Sequence, residues 1–178
     1  AVGGKDDSVF LVETGAALTI KDTAGGGQIA QPNIYAAVTA NGGTVTIEGG
    51  TIKATSTAAE NNRAIEVSSG TVTINGGTIG NVFGNSNEYS ANNPGSFTMN
   101  GGTVTNLYVE HDADYGAKFK YTDGTIEHLY LSKENGNGQS IEVTPVKGTD
   151  YNGGVSEEQM VTVTLNYNDN QATPAKEL

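Results

Sequence analysis

The sequence predicts an all-β fold, a right-handed single-stranded parallel β-helix (a β-solenoid) of about six coils of 22–27 residues. One observation behind this prediction is a repeated unit in which apolar residues alternate with threonine. The other is a bend at the same place in each unit, in a chain that has 25 glycines among its 178 residues. The right hand is expected because crossover connections between parallel strands are almost always right-handed.

The repeat is clearest in the segment TVTIEGGTI, which begins at Thr44 and returns at Thr71 as TVTINGGTI and at Ser96 as SFTMNGGTV. A shorter copy begins at Phe119, and a copy with an altered turn begins at Leu18. The first apolar residues of successive units are separated by 27, 27, 25, 22 and 22 residues; they are Leu18, Val45, Val72, Phe97, Phe119 and Ile141. A period held over this length indicates stacked coils.

Each unit predicts three short strands. The first strand has the two-residue alternation, and the Asn-Gly-Gly, Glu-Gly-Gly or Asp-Gly step after it accepts the positive φ of a sharp bend. The second strand begins with Thr-Ile or Thr-Val, and the third is visible where residues 37–40 (AVTA) align with residues 64–67 (AIEV). Antiparallel hairpins use similar turns, but a hairpin array does not need the same residue at the same offset in each unit. The fixed offsets therefore favour a solenoid.

The composition agrees with a narrow solenoid core. Coils that stack about 4.8 Å apart place like residues in ladders, with Val, Ile, Leu and Phe inside and Thr outside. This explains why only 35% of the residues are hydrophobic. We expect residues 1–155 to form the solenoid with an incomplete first coil, and residues 156–178 to form a C-terminal strand or linker.

Charge and composition exclude several classes of protein. The net charge of −11 argues against a nucleic-acid partner, because phosphate contacts need clustered Lys and Arg. No run of 18 apolar residues is present, so we expect no membrane insertion. Without cysteine there is no disulfide framework and no thiolate site. The sequence contains no signal peptide, so we expect Ala1 to begin either a mature chain or a piece cut from a longer one. The absence of cysteine suits a bacterial exported protein.

The repeats, such as GTVTINGGTI at residues 70–79, resemble the β-helix domains of large surface proteins from Firmicutes and related gut bacteria. Some members of that group are described as pectate-lyase-like or as calcium-dependent carbohydrate-binding β-helices. The strand pattern VTVTLNY at residues 161–167 resembles the start of a Listeria–Bacteroides repeat, although it could equally cap the solenoid. The resemblance implies an extracellular module, on the bacterial cell surface or cell wall, that is a monomer within a larger multidomain chain.

Three aromatic residues occupy one repeat position, because Phe83, Tyr108 and Tyr130 each lie five residues after the repeat threonine. If their apolar neighbours point inward, the rings form an outward row. The row could bind a glycan, with Asn81, Asn106 and His128 beside it to hydrogen-bond sugar hydroxyls. It could also be a protein-adhesion surface, or a ladder that stabilises the solenoid without a ligand. The opposite orientation would place the rings in the core.

The carboxylates are considered as ligands of a metal ion and as catalytic residues. Glu110, Asp112 and Asp114 lie in one loop and could supply oxygen ligands to Ca²⁺, although an ordinary acidic loop has the same appearance. No other cofactor is expected. Polysaccharide lyases usually need a basic residue beside grouped carboxylates, and Arg63 is the only arginine in the chain. We therefore predict no catalytic residues and a role in adhesion or glycan recognition, with a glycan or a host or bacterial surface protein as the partner. A ligand-free spacer is the alternative, and a polysaccharide lyase or hydrolase is a third possibility.

Overall fold

The computed structural model describes residues 7–32, 35–56, 62–84, 95–109, 118–132 and 140–152. Each regular element in these residues is a β-strand. The strands are β1 (Phe10–Glu13), β2 (Ala17–Ile20), β3 (Gln28–Gln31), β4 (Val38–Asn41), β5 (Thr44–Ile47), β6 (Thr51–Ala54), β7 (Ile65–Val67), β8 (Thr71–Ile74), β9 (Thr78–Gly84), β10 (Ser96–Val109), β11 (Lys118–Ser132), β12 (Ser140–Val143) and β13 (Thr149–Asn152). The predicted tail, residues 156–178, lies outside the described residues.

The first eleven strands stack in parallel and form three faces. Face 1 contains β1, β4, β7 and the C-terminal parts of β9, β10 and β11. Face 2 contains β2, β5, β8 and the N-terminal parts of β10 and β11. Face 3 contains β3, β6, the start of β9 and the middle of β10 and β11. The parallel β-solenoid is confirmed and the hairpin array is excluded. The right-handed winding stays a prediction.

The number of coils is smaller than six. Face 2 has five parallel layers, at Leu18, Val45, Val72, Phe97 and Phe119, which gives about four turns. The predicted sixth unit was wrong: β12, which contains Ile141, pairs antiparallel with the end of β11. β13 pairs antiparallel with the start of β11. These two strands pair with the edge of β11 that no further coil covers, and they therefore end the stacking. The last interval of 22 residues, from Phe119 to Ile141, arises from the strand alternation alone and marks no further coil.

The core is a column of side-chain ladders, one from each inward repeat position. On face 2 the inward ladder runs from Val45 through Val72 and Phe97 to Phe119, and all four side chains are buried. The threonines between them point outward. The side chains therefore change from aliphatic to aromatic along the axis, and Phe119 contacts Phe97 and Tyr151 at ring-centroid distances of 5.3 and 5.2 Å.

The bend between faces 2 and 3 requires glycine for two reasons. Gly77 and Gly102 have φ values of 93° and 78°, where other L-residues are strained. A Cβ atom on Gly77 would lie 2.7 Å from the carbonyl oxygen of Gly50, and one on Gly102 would lie 2.8 Å from that of Gly77. The bends stack backbone on backbone, so the Gly-Gly step reflects the spacing between coils as well as the turn itself.

The long connections lie at one corner of the solenoid in the first coils and at a different corner in the later coils. In the first two coils the long connection lies between face 3 and the next face 1, as between Ala54 and Ile65. From β9 onward, one continuous strand crosses that corner, and the long connection follows face 1, between Gly84 and Ser96. The alignment of residues 37–40 with 64–67 is confirmed by the pairing of β4 with β7. The corner crossed by continuous strands is where the candidate site lies.

Candidate functional site

The aromatic row lies on face 1, where Phe83, Tyr108 and Tyr130 pair in register on β9, β10 and β11. Their neighbours Val82, Leu107 and Leu129 are fully buried in the core, and the three rings are partly exposed. The side-chain alternation along a strand therefore directs the rings outward, as expected from the sequence. The alternative that placed the rings in the core is wrong.

The rings stack on each other. The centroids of Phe83 and Tyr108 are 4.5 Å apart with an interplanar angle of 12°, and those of Tyr108 and Tyr130 are 4.7 Å apart with an angle of 11°. Both faces of the Tyr108 ring are consequently covered by neighbouring rings. A sugar stacks its C–H groups on an aromatic face, but this row presents the edges of its rings to the surface. The ring stack is therefore a poor platform for sugar stacking.

A charged pair lies at the Phe83 end of the stack. The guanidinium carbon of Arg63 lies 5.2 Å from the Phe83 ring centroid, a cation–π contact. Arg63 also forms an ion pair with Glu66 at 3.2 Å, and Glu66 is the register partner of Phe83 on β7. The only arginine of the chain thus covers the face of Phe83 that Tyr108 leaves open.

The Tyr130 end has a hydrogen-bonded pair of polar side chains. The register partner of Tyr130 on β12 is Glu142, whose Oε1 lies 2.7 Å from Nδ1 of His128. The His128 ring is 6.3 Å from the Tyr130 ring, with an interplanar angle of 23°. Both ends of the stack therefore combine a carboxylate in the same column with a basic side chain next to the terminal ring. His128 and Glu142 are about half exposed, which leaves this end accessible to solvent.

The two predicted asparagines form a ladder at the corner between faces 3 and 1. Asn106 donates from Nδ2 to Oδ1 of Asn81 at 2.7 Å, and Asn81 donates from Nδ2 to the carbonyl oxygen of Asn62 at 2.8 Å. His128 is the next residue of this column, because it pairs with Asn106. The amide groups bond to the neighbouring coil instead of pointing to a ligand. This ladder satisfies polar groups at the corner that the continuous strands cross.

Stacking also changes the acidity of the middle ring. Partial burial raises the pKa of the Tyr108 hydroxyl, and the nearby Tyr130 hydroxyl raises it further. The Tyr108 phenol therefore stays protonated over the neutral range. In this state a phenol can donate and accept hydrogen bonds, but it is neither a nucleophile nor a base.

The proposed calcium ligands Glu110, Asp112 and Asp114 lie outside the described residues, so this site stays a prediction. Among the residues that the structure does describe, no group of three or more His, Asp or Glu side chains could hold a metal ion.

Three residues of the assembled site were missed by sequence reasoning as parts of it: Arg63, Glu66 and Glu142. Glu66 could have been found from the alignment of residues 64–67 with residues 37–40. Extending that alignment to the next coil places Ile65 beside Val82 and Glu66 beside Phe83. Glu142 could not, because it joins the column through an antiparallel strand that breaks the repeat.

Comparisons with protein-family models, with curated proteins and with solved structures find no match for this chain. In the part of the chain that the structure describes, no helix has the length and hydropathy needed to cross a membrane. The class that the geometry defines is a parallel β-solenoid.

Proposed function

We propose that this chain is a non-catalytic module of a bacterial surface protein, in which a stiff solenoid spaces and displays other parts of the molecule. One observation carries the proposal. Five of the six predicted binding residues contact their own equivalents in the next coil: the three rings by stacking, and Asn81 and Asn106 by an amide hydrogen bond. Side chains used in this way contribute stiffness along the axis. The resemblance to surface β-helix domains supports the extracellular location.

A spacer must hold its two ends at a fixed separation. Thr19 and Lys120 are exposed and occupy the same outward column of face 2, four coil steps apart. At about 4.8 Å per step their Cα atoms are expected to be roughly 19 Å apart. The chain has no cysteine, so spin labels can be placed on Thr19→Cys and Lys120→Cys without background.

We expect a single narrow distance distribution from electron paramagnetic resonance. A matched pair, Thr46→Cys with Lys120→Cys, should give a distance shorter by one coil step, about 4.8 Å. A broad distribution in both pairs would exclude a stiff spacer. The measurement does not depend on any ligand, so it tests the spacer directly.

Glycan or protein recognition by the row is the second candidate, and the half-exposed end at His128 and Glu142 favours it. A ligand at this end would contact ring edges, phenol hydroxyls and the hydrogen-bonded side chains of His128 and Glu142. We expect this ligand to be neutral, because the chain carries a net charge of −11. The test is a glycan array with two double variants of Tyr108 and Tyr130, one to Phe and one to Ala.

The Phe variant keeps the stack and removes the hydroxyls, and the Ala variant removes both. Loss of a hit in both variants would show that the hydroxyls bind the glycan. Loss only in the Ala variant would show that the rings are needed. A hit that persists in both variants would place the binding site elsewhere on the molecule.

A further inference from the structure

We propose that Tyr108 and Tyr130 form an oxidative cross-linking site, at which a peroxide and a haem peroxidase join the two rings as dityrosine. Among the aromatic contacts of the described residues, this is the one pair in which two tyrosines stack on each other. The inference does not depend on whether the solenoid binds a ligand.

The geometry of parallel strands aligns the reacting atoms. Tyr108 and Tyr130 are direct register partners on β10 and β11, and their rings are 4.7 Å apart and nearly parallel. Equivalent atoms of the two side chains therefore face each other, including the carbons ortho to the hydroxyls. Leu107 and Leu129 anchor the same strands in the core. The fold therefore holds the Tyr108 and Tyr130 rings together, and bringing them into contact costs no further conformational entropy.

The other described aromatic pairs lack this combination. Phe83 stacks on Tyr108 in the same way but has no phenol to oxidise. Tyr121 is buried and donates its hydroxyl hydrogen to the carbonyl oxygen of Gly124, and Tyr151 stacks on Phe119. Tyr108 and Tyr130 are both partly exposed, so small oxidants can reach them.

The reaction balances with hydrogen peroxide as the oxidant. Each phenol loses one electron and one proton and becomes a phenoxyl radical. The two radicals couple through their ortho carbons to form one carbon–carbon bond, and the ring protons then move to the phenol oxygens to restore aromaticity. Overall, two tyrosines and one peroxide give one dityrosine and two waters. The rings must splay for the bond to form, and their position at the surface leaves space for this movement.

The cross-link would join β10 to β11 beside the antiparallel cap. A covalent bridge that closes a loop in the chain restricts the unfolded state, as a disulfide does. The chain has no cysteine with which to form disulfides, so a tyrosine bridge would be a different route to covalent reinforcement. We expect the cross-linked protein to have a higher unfolding midpoint than the untreated protein.

The experiment treats dilute protein with a haem peroxidase and hydrogen peroxide, then follows dityrosine fluorescence and maps cross-linked peptides by mass spectrometry. We expect a peptide pair that contains residues 108 and 130 and has lost two hydrogen atoms. Tyr108→Phe and Tyr130→Phe should each abolish this product and retain the ring stack. Tyr35→Phe is the matched control, because Tyr35 is exposed and lies outside the stack, and it should leave the product unchanged.

Two results would overturn the inference. One is a cross-link that maps to other tyrosines or joins separate molecules, with no product between residues 108 and 130. The other is an absence of dityrosine when the same peroxidase couples free tyrosine in a parallel reaction.

Discussion

The N-terminal and C-terminal halves of the solenoid both stack their coils in parallel, but they fill the core with different side chains. The first coils have an aliphatic interior, with Val45 and Val72 on face 2, and they carry their long connections between faces 3 and 1. The last coils have Phe97 and Phe119 at the equivalent inward positions of face 2, continuous strands across that corner and an antiparallel cap. The glycine bend at Gly50 returns at Gly77, Gly102 and Gly124, whereas the core, the loops and the outer surface all change over the same coils. The comparison therefore shows that, after the first coil, this bend constrains the coil most strictly.

The largest expected effect comes from removing one buried side chain from the core of each half. Phe119→Ala removes a buried ring that contacts Phe97 and Tyr151, and it should destabilise the C-terminal half by about 4 kcal/mol. Ile47→Ala, at a fully buried position in the second coil, should destabilise the N-terminal half by about 3 kcal/mol. Because each coil contacts only its neighbours, we expect hydrogen exchange to accelerate mainly in the half that carries the substitution. Equal acceleration along the whole chain in both variants would show a single cooperative unit.

The next effect tests the shared bend. Gly77→Ala places a Cβ against the backbone of the previous coil at positive φ, and it should cost about 3 kcal/mol of unfolding free energy. Gly25 is the matched control, because its φ is 78° but a Cβ there would meet no atom within 4 Å. Gly25→Ala should therefore cost only about 1 kcal/mol, from the backbone conformation alone. Equal losses in chemical denaturation would show that close stacking adds nothing to the need for glycine.

The smallest effect concerns the C-terminal cap. Lys147, between β12 and β13, lies 2.6 Å from the Asp123 carboxylate on β11. The hydrogen bond from Lys147 lowers the pKa of Asp123, with help from the Gly124 amide and from the positive charge of Lys147. Since the folded pKa lies below the unfolded value, this stabilisation is complete above the unfolded pKa of about 4 and is lost as the pH falls through the folded value.

The measurement is the difference in melting temperature between the natural chain and Asp123→Asn. We expect a small difference near neutral pH that disappears in strong acid. Lys147→Met should give the same small loss, and the double variant should lose no more than either single one. A difference that is constant with pH would show that the ion pair contributes nothing. Both groups are well exposed, so the effect is expected to be the weakest of the three.

Much of the fold could be predicted from the sequence, because a solenoid repeats its constraints. The offsets of Val45, Val72, Phe97 and Phe119 predicted the ladder, since stacked coils require equivalent residues in register. The end of the solenoid could not be predicted in this way. Ile141 keeps both the alternation and the interval of the repeat, and alternation alone does not distinguish a parallel strand from an antiparallel one.

The rings and the asparagines of the site were predicted from the sequence, but the side chains at the two ends of the ring stack were not. The common offset of Phe83, Tyr108 and Tyr130 predicted the row and its outward direction. Stacking of the rings depends on side-chain torsion angles, which the sequence does not specify. The hydrogen bond between Asn81 and Asn106 depends on β9 and β10 crossing the corner without a loop, and the sequence did not predict this crossing.

The stacked bends also determine how such a chain can change in length during evolution. A single residue inserted next to Gly77 would move that bend out of register with the bends of the neighbouring coils. Duplication of a whole unit of about 25 residues would instead keep the bends in register at both new junctions. The near-identical segments at residues 44–52 and 71–79 would favour such a duplication through unequal recombination of the gene. Length should then be inherited in steps of one coil, each adding about 4.8 Å to the rod.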